Sequence, residues 1–172
     1  PEMPSGFWTE HFDIEIIRTA EEAKQFAANL PRSAFIGEWR EEFEQWGFAD
    51  RNPPQLLNRL HYPRAIKTEY EIECMRRASR IAASGHRAAE DAFRAGASEF
   101  EIHQAYLRGS EQNERDLPYT NIIALNEHAA VLHYQYLDRT PPSARRSFLI
   151  DAGAQVHSYA CDITRTYSYA DD

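Results

Sequence analysis

Residues 147–167 read SFLIDAGAQVHSYACDITRTY, and two apolar runs flank a short connection within them. The first run, Phe148-Leu149-Ile150, ends in Asp151-Ala152-Gly153, and the second, Tyr159 to Tyr167, carries Asp162. A turn centred between Val156 and His157 makes an antiparallel hairpin with Asp151 and Asp162 directly opposed. Opposed residues hold their Cβ atoms about 4.5–5.5 Å apart. Carboxylates that close repel unless a proton or a cation lies between them, and hard divalent cations favour oxygen ligands. Alternation puts Ala160, Asp162 and Thr164 on one face, with Cys161 and Arg165 on the other. Gly153 leaves room beside Asp151, and Thr164 is placed to hydrogen-bond a ligand carboxylate. Spacing alone leaves two readings open: a metal-binding pair, or two solvated aspartates near a turn. The apolar setting favours the first, because uncompensated charge there is costly.

Upstream, the chain announces helices and then strands. Thr68-Glu-Tyr-Glu71 and Ser98-Glu-Phe-Glu101 are capping boxes, with a hydroxyl at the N-cap and a glutamate three residues on. The first opens a long helix stopped by Gly96, as a glycine just past a helix end does. Its expected inner face is Ile72, Met75, Ser79, Ala82, His86, Ala89 and Phe93, by helical spacing. The second box opens a helix to about Gln112. Tyr119 to Leu125 and Ala130 to Tyr134 read as extended. Nearer the start, Asp13 to Arg18 reads as a strand, and Thr19 with Glu22 caps a helix to about Leu30. Ala34 to Gly37 is a second short strand. Pro53-Pro54 opens a short helix from Gln55 to Leu60. His61 to Lys67, interrupted by Pro63, reads as a linker. The expected domains are 1–60, a linker 61–67, and 68–172.

Composition narrows the classes of function. The chain has 172 residues, 42% hydrophobic and 12% aromatic, which suits a globular protein of one domain or parts of two. A net charge of −8 argues against nucleic acid or an anionic membrane as a partner. No apolar run reaches the roughly 18 residues of a membrane-spanning helix. Cys74 and Cys161 make no disulfide framework, so a reducing cytoplasm is the expected compartment. The opening PEMPSGFWTE lacks the basic and apolar regions of a signal peptide. Cys74, Cys161 and His86 are expected to serve packing. His103, His128 and His157 are expected to face solvent. His133, in the apolar stretch VLHY at 131–134, is either a satisfied core histidine or a site residue.

Five segments together carry a resemblance: HYPRAIKTEYEIECMRRA, GHRAAEDAF, SEFEIHQAYL, LPYTNIIALNEHAAVLHY and SFLIDAGAQVHSYACDITRTYS. The chain resembles the bacterial Xaa-Pro dipeptidases, or prolidases, in the group that also holds aminopeptidase P, creatinase and methionine aminopeptidase. The resemblance implies an α+β fold, with the end of a creatinase-like N-terminal α/β domain followed by the first half of a pita-bread catalytic domain. It implies hydrolysis of Xaa-Pro dipeptides by a dinuclear centre of divalent metal, usually Mn2+. Asp151 and Asp162 match the aspartate ligands, Asp162 being the one that bridges both metals. His133 matches the histidine that assists proton transfer or stabilises the transition state. Tyr119 and Leu132 match positions lining the substrate pocket. The family's other ligands, one histidine and two glutamates, lie in a second half that this sequence lacks. The chain therefore reads as an internal fragment, inactive alone, that needs the missing C-terminal half of the same protein. A homodimer is the implied assembly. Within the group, aminopeptidase P and an organophosphorus acid anhydrolase are rival activities, and a metal-free peptide-binding module is the non-enzymatic rival.

Overall fold

The computed structural model describes Gly6 and residues 8–169, divided between Ile66 and Lys67 into two compact units. Among these residues no helix is long and apolar enough to cross a membrane.

The first unit begins with helix α1, Ala20–Ala28, where the Thr19 hydroxyl accepts the Glu22 N–H at 3.2 Å. The Glu22 carboxylate accepts the Arg18 N–H at 2.8 Å, one residue earlier than a standard capping box. Strands β1, Ala34–Phe35, and β2, Asp50–Arg51, form a two-residue parallel pair. Around them Phe35 packs on Trp39, Phe43 and Phe48 with ring centroids 5.0–5.4 Å apart. The strand expected over Asp13 to Arg18 does not form: Ile14, Ile16 and Ile17 are exposed. A β-rich composition supplies propensity but not a partner strand. The short helix expected from Gln55 to Leu60 is longer and reaches into the segment read as a linker. Helix α2 runs from Pro54 to Ala65 and contains Pro63. A proline in the last turn costs one backbone bond, and here it leaves the helix intact.

In the second unit, helix α3, Glu69–Ala95, and helix α4, Glu99–Gly109, both start with complete capping boxes. Gly96, at φ 91°, ends α3. The two helices pack closely because Gly85 has no side chain: a Cβ there would lie 2.7 Å from the Tyr106 ring. The expected inner face of α3 holds from Ala82 to Phe93. Before that it is rotated by one residue, so that Cys74 and Ala78 are buried while Met75 and Ser79 are exposed. Small side chains decide the contact there, Cys74 and Ala78 clustering with Val156, whereas the pattern followed the larger ones.

The strands are β3 (Ile122–Leu125), β4 (Ser147–Asp151), β5 (Ala154–Val156), β6 (Tyr159–Cys161) and β7 (Thr164–Ser168). They make an antiparallel sheet of order β3-β4-β7 and a separate β5-β6 pair. Phe93, Ile102, Tyr106, Ile123, Phe148 and Ile150 form the core between helices and sheet, each at most 1% exposed.

The hairpin register corrects the expected one. Val156 pairs with Tyr159, so the turn is His157-Ser158, one residue later than expected. Both turn residues have positive φ, 50° and 68°, as a two-residue turn that follows the strand twist requires. Neither is glycine or asparagine, so the turn has no composition signal. Asp151 therefore faces Thr164, and Asp162 is not directly opposite it. The slip is two positions, an even number, so every side chain keeps its face. Both expected long strands are broken, at Ala152-Gly153 and at Asp162-Ile163, where one bond, from the Ala152 N–H to the Ile163 carbonyl at 3.1 Å, links them. The segment 130–134 is corrected too: a 3-10 turn, Asn126–Ala130, leads into a bend rather than a strand.

Candidate metal centre

The break in the ribbon is what exposes the two aspartates. Its free backbone carbonyls are taken up from behind by the helices. The His86 ring nitrogen Nε2 lies 3.0 Å from the Ala152 carbonyl, and the Tyr106 hydroxyl donates to the Gly153 carbonyl at 2.8 Å. Buried carbonyls need such partners once the ladder stops. Burial, the larger influence, holds the His86 pKa below its ordinary value and keeps the ring neutral. Gly153 serves the same geometry. A Cβ there would collide with the Cys161 carbonyl and lie 2.9 Å from the Tyr119 ring.

On the open face the Tyr119 hydroxyl reaches both aspartates, 2.8 Å from Asp151 Oδ1 and 3.0 Å from Asp162 Oδ1. A phenol has one proton and two acceptors have claimed it. Burial first, then these two hydrogen bonds, push the Tyr119 pKa well above the ordinary tyrosine value. The phenol thus stays protonated and holds the carboxylates together. Asp151 is half-buried and Asp162 exposed, and among the described residues the second oxygen of each accepts no hydrogen bond. A hard divalent cation fits this donor set: two carboxylates on one face, held close, with a single shared donor among the described residues. Thr164 sits across from Asp151 on the same face and is exposed.

His133 and Leu132 occupy a different place. Both are exposed, Leu132 at 86%, on the bend after the 3-10 turn. His133 has φ 53°, an uncommon conformation for a residue with a side chain. Among the described residues no hydrogen bond or ion pair joins His133 to either aspartate.

All three histidines expected to face solvent have partners: His157 stays exposed with its Nδ1 2.7 Å from the Tyr70 hydroxyl, and the other two are drawn inward. His103 is 3% exposed, and its Nε2 lies 2.7 Å from Glu114 Oε1, because the inner stripe of α4 is wide enough to take it. His128 lies 2.8 Å from Glu99 Oε1 and stacks on Tyr134 at 4.6 Å. Its partner, Glu99, was hidden in the sequence as one acidic residue of a helix first turn. Glu99, His128 and Asp138 bring one potential ligand atom each within 4.8 Å. That cluster is nevertheless closed to a cation. Glu99 Oε1 accepts the Leu125 N–H at 2.9 Å as well as His128, and Oε2 accepts the Tyr134 hydroxyl at 2.7 Å and the Asp138 N–H at 2.9 Å.

With this geometry in place, comparison with known proteins is decisive about kinship. The profile of metallopeptidase family M24 matches residues 73–172. The chain belongs to metallopeptidase family M24. A second profile, for the Xaa-Pro dipeptidase N-terminal domain, matches residues 1–62. The M24 chain is 53% identical over 169 residues to a Xaa-Pro dipeptidase of Shewanella frigidimarina, covering 98% of this chain and 38% of that protein. It is 48% identical over 170 residues to the Xaa-Pro dipeptidase of Pseudoalteromonas haloplanktis, covering 39% of it. The chain thus spans under two-fifths of the length of these relatives. Among solved structures it is similar to proline aminopeptidase P II from Yersinia pestis, with a TM-score of 0.67 and 25% identity over 87% of this chain and 38% of that one. A zinc-substituted E. coli aminopeptidase P in complex with product gives 0.59 and 28% over 71% of this chain and 27% of that one. The α+β architecture agrees with these pita-bread relatives: an N-terminal domain followed by the start of the catalytic domain. Membership of M24 implies divalent metal ions.

Proposed function

We propose that the whole protein carrying this chain is a metal-dependent Xaa-Pro dipeptidase that releases a C-terminal proline. The observation that carries this is the 53% identity to a Xaa-Pro dipeptidase across 98% of the chain. The aspartate pair gathered by Tyr119 gives the reading a site.

Asp151 and Asp162 are the proposed ligands and would hold part of a dinuclear centre of divalent ions, Mn2+ by preference. Bound there, two divalent ions supply a Lewis-acidic centre that acidifies water and neutralises a developing oxyanion. The chain's own residues do the rest. Tyr119 holds the two carboxylates in register and walls one side of the pocket. Thr164 steadies the Asp151 carboxylate. Leu132 offers an apolar surface to the substrate, and His133 donates a hydrogen bond to it near the scissile bond and assists the proton transfer. The ligands still required, a histidine and two glutamates in the family pattern, are proposed to come from the further length that the relatives have. A cytoplasmic homodimer is the proposed state.

The test is Mn2+-dependent release of proline from Met-Pro or Ala-Pro by the full-length protein. Metal-loaded protein that releases none would overturn the reading. Faster cleavage of a longer Xaa-Pro peptide than of the dipeptide would favour aminopeptidase P, which the structural similarity to two such enzymes keeps in view. A phosphotriester cleaved faster than either peptide would favour an anhydrolase. The isolated 172-residue chain is expected to be inactive, since two carboxylates leave a metal centre short of ligands.

A further inference from the structure

The turn that carries Leu132 and His133 is long, exposed at its tip and built without strand pairing. It is nevertheless fastened at both feet to one side chain. Glu99 is 1% exposed and sits at the first position of α4, directly after the Ser98 cap. Its carboxylate accepts four hydrogen bonds. Two come from the near foot, the Leu125 N–H and the His128 ring, and two from the far foot, the Tyr134 hydroxyl and the Asp138 N–H. The Phe100 N–H adds a backbone bond to the Asp138 carbonyl at 3.0 Å. A buried carboxylate is tolerated when all its acceptor sites are filled, and here both oxygens are filled by groups of the loop it clamps.

We infer that Glu99 is the positioning residue of the proposed active site, setting where His133 stands by closing the base of the 125–138 loop. This rests on the reading of His133 as the residue that contacts substrate. Glutamine at position 99 keeps the shape but presents an NH2 group, which accepts nothing, to one pair of donors. Whichever way the amide turns, one foot of the loop loses its backbone N–H bond, from Leu125 or from Asp138.

The test uses the full-length, metal-loaded protein. Glu99→Gln should lower kcat on Ala-Pro at least tenfold while KM changes less than threefold. In a double-mutant cycle, Glu99→Gln added to His133→Ala should cost less than twofold more than His133→Ala alone, because residues acting through one another are not additive. Independent multiplication of the two losses would overturn the inference and leave Glu99 a stabilising residue only. Hydrogen exchange reads the same loop without turnover. The amide of Leu125 or of Asp138, whichever faces the new NH2 group, should exchange at least tenfold faster in Glu99→Gln, with β4 and β7 unchanged. If the wild type cleaves no Xaa-Pro dipeptide, the proposed function fails, and exchange then decides the clamp: unchanged protection overturns it. Should Glu99→Gln not fold, Tyr134→Phe removes one of the four bonds and keeps the ring, with an expected two- to threefold loss of kcat that again vanishes in the His133→Ala background. Asp138 contributes only its backbone to the clamp, so Asp138→Ala should stay within twofold of wild type. A loss as large as that of Glu99→Gln would overturn the clamp.

Discussion

Two carboxylate centres lie in the same unit and are opposites. Glu99 is buried and saturated: four donors converge on two oxygens. Asp151 and Asp162 share a single phenol and open toward solvent. A carboxylate whose lone pairs are spent on its own fold holds structure together. One whose lone pairs are left over can accept something from outside. By that measure the cluster that gathers three potential ligand types, Glu99, His128 and Asp138, is the weaker candidate for a cation. The pair with the fewer partners is the stronger.

That contrast can be broken most directly at the open pair. Asp162→Asn or Asp151→Asn in the full-length protein should cost about a thousandfold in kcat/KM, equivalent to about 4 kcal/mol of transition-state stabilisation. Calorimetric titration with Mn2+ should show the matching loss of binding, while the thermal midpoint without metal barely moves. A large drop in that midpoint would make the pair structural after all. Next in size is Gly153→Ala. Its methyl group meets the Cys161 carbonyl and the Tyr119 ring, so urea unfolding should show about 2 kcal/mol of destabilisation from overpacking, together with weaker Mn2+ binding. Tyr119→Phe should cost about 1 kcal/mol, the worth of one hydrogen bond, measured without metal. Adding Mn2+ should shrink the difference, since an ion between the carboxylates replaces the phenol's role.

The smallest effect is a pH dependence at the closed centre. The hydrogen bond to Glu99, the leading cause, raises the His128 pKa above its ordinary value near 6.5. A group raised in the folded state stabilises fully below its unfolded pKa and loses that contribution as pH climbs through the folded one. His128 should therefore titrate late by NMR, and stability should ease downward above pH 6.5. In Glu99→Gln the His128 resonance should return toward the ordinary range. Titration of His128 at its ordinary value in the wild type would mean that the Glu99 contact is weaker than its 2.8 Å distance implies.

How much of this was written in the sequence differs by element. The boxes at Thr68 and Ser98 are local: a hydroxyl and a glutamate three residues apart meet through one helical turn, and both formed as read. Gly96 ended α3 for an equally local reason. That Asp151 and Asp162 share a face was legible from alternation alone, and it survived a register error because the error was even. The register itself was not legible, since His157-Ser158 carries no glycine to mark the turn. Nor was the break in both strands, which depends on His86 and Tyr106 reaching across from other elements to take the freed carbonyls. Asp13 to Arg18 failed as a strand for want of a partner, and Pro63 did not stop α2, which continues to Ala65.

By itself, then, the sequence determined the capped helix starts, the stop at Gly96, the faces of the hairpin and the kinship of the chain, all of which rest on neighbours within a few residues or on motifs taken together. Only the tertiary structure decided which carboxylates were free. Glu99 and Asp162 are both acidic residues with an apolar residue next to them, Phe100 beside the one and Ile163 beside the other. What separates them is the set of donors brought from residues 125, 128, 134 and 138 to the one, and the single phenol brought from residue 119 to the other. No local pattern encodes those arrivals, because they come from segments that meet only once the chain has packed.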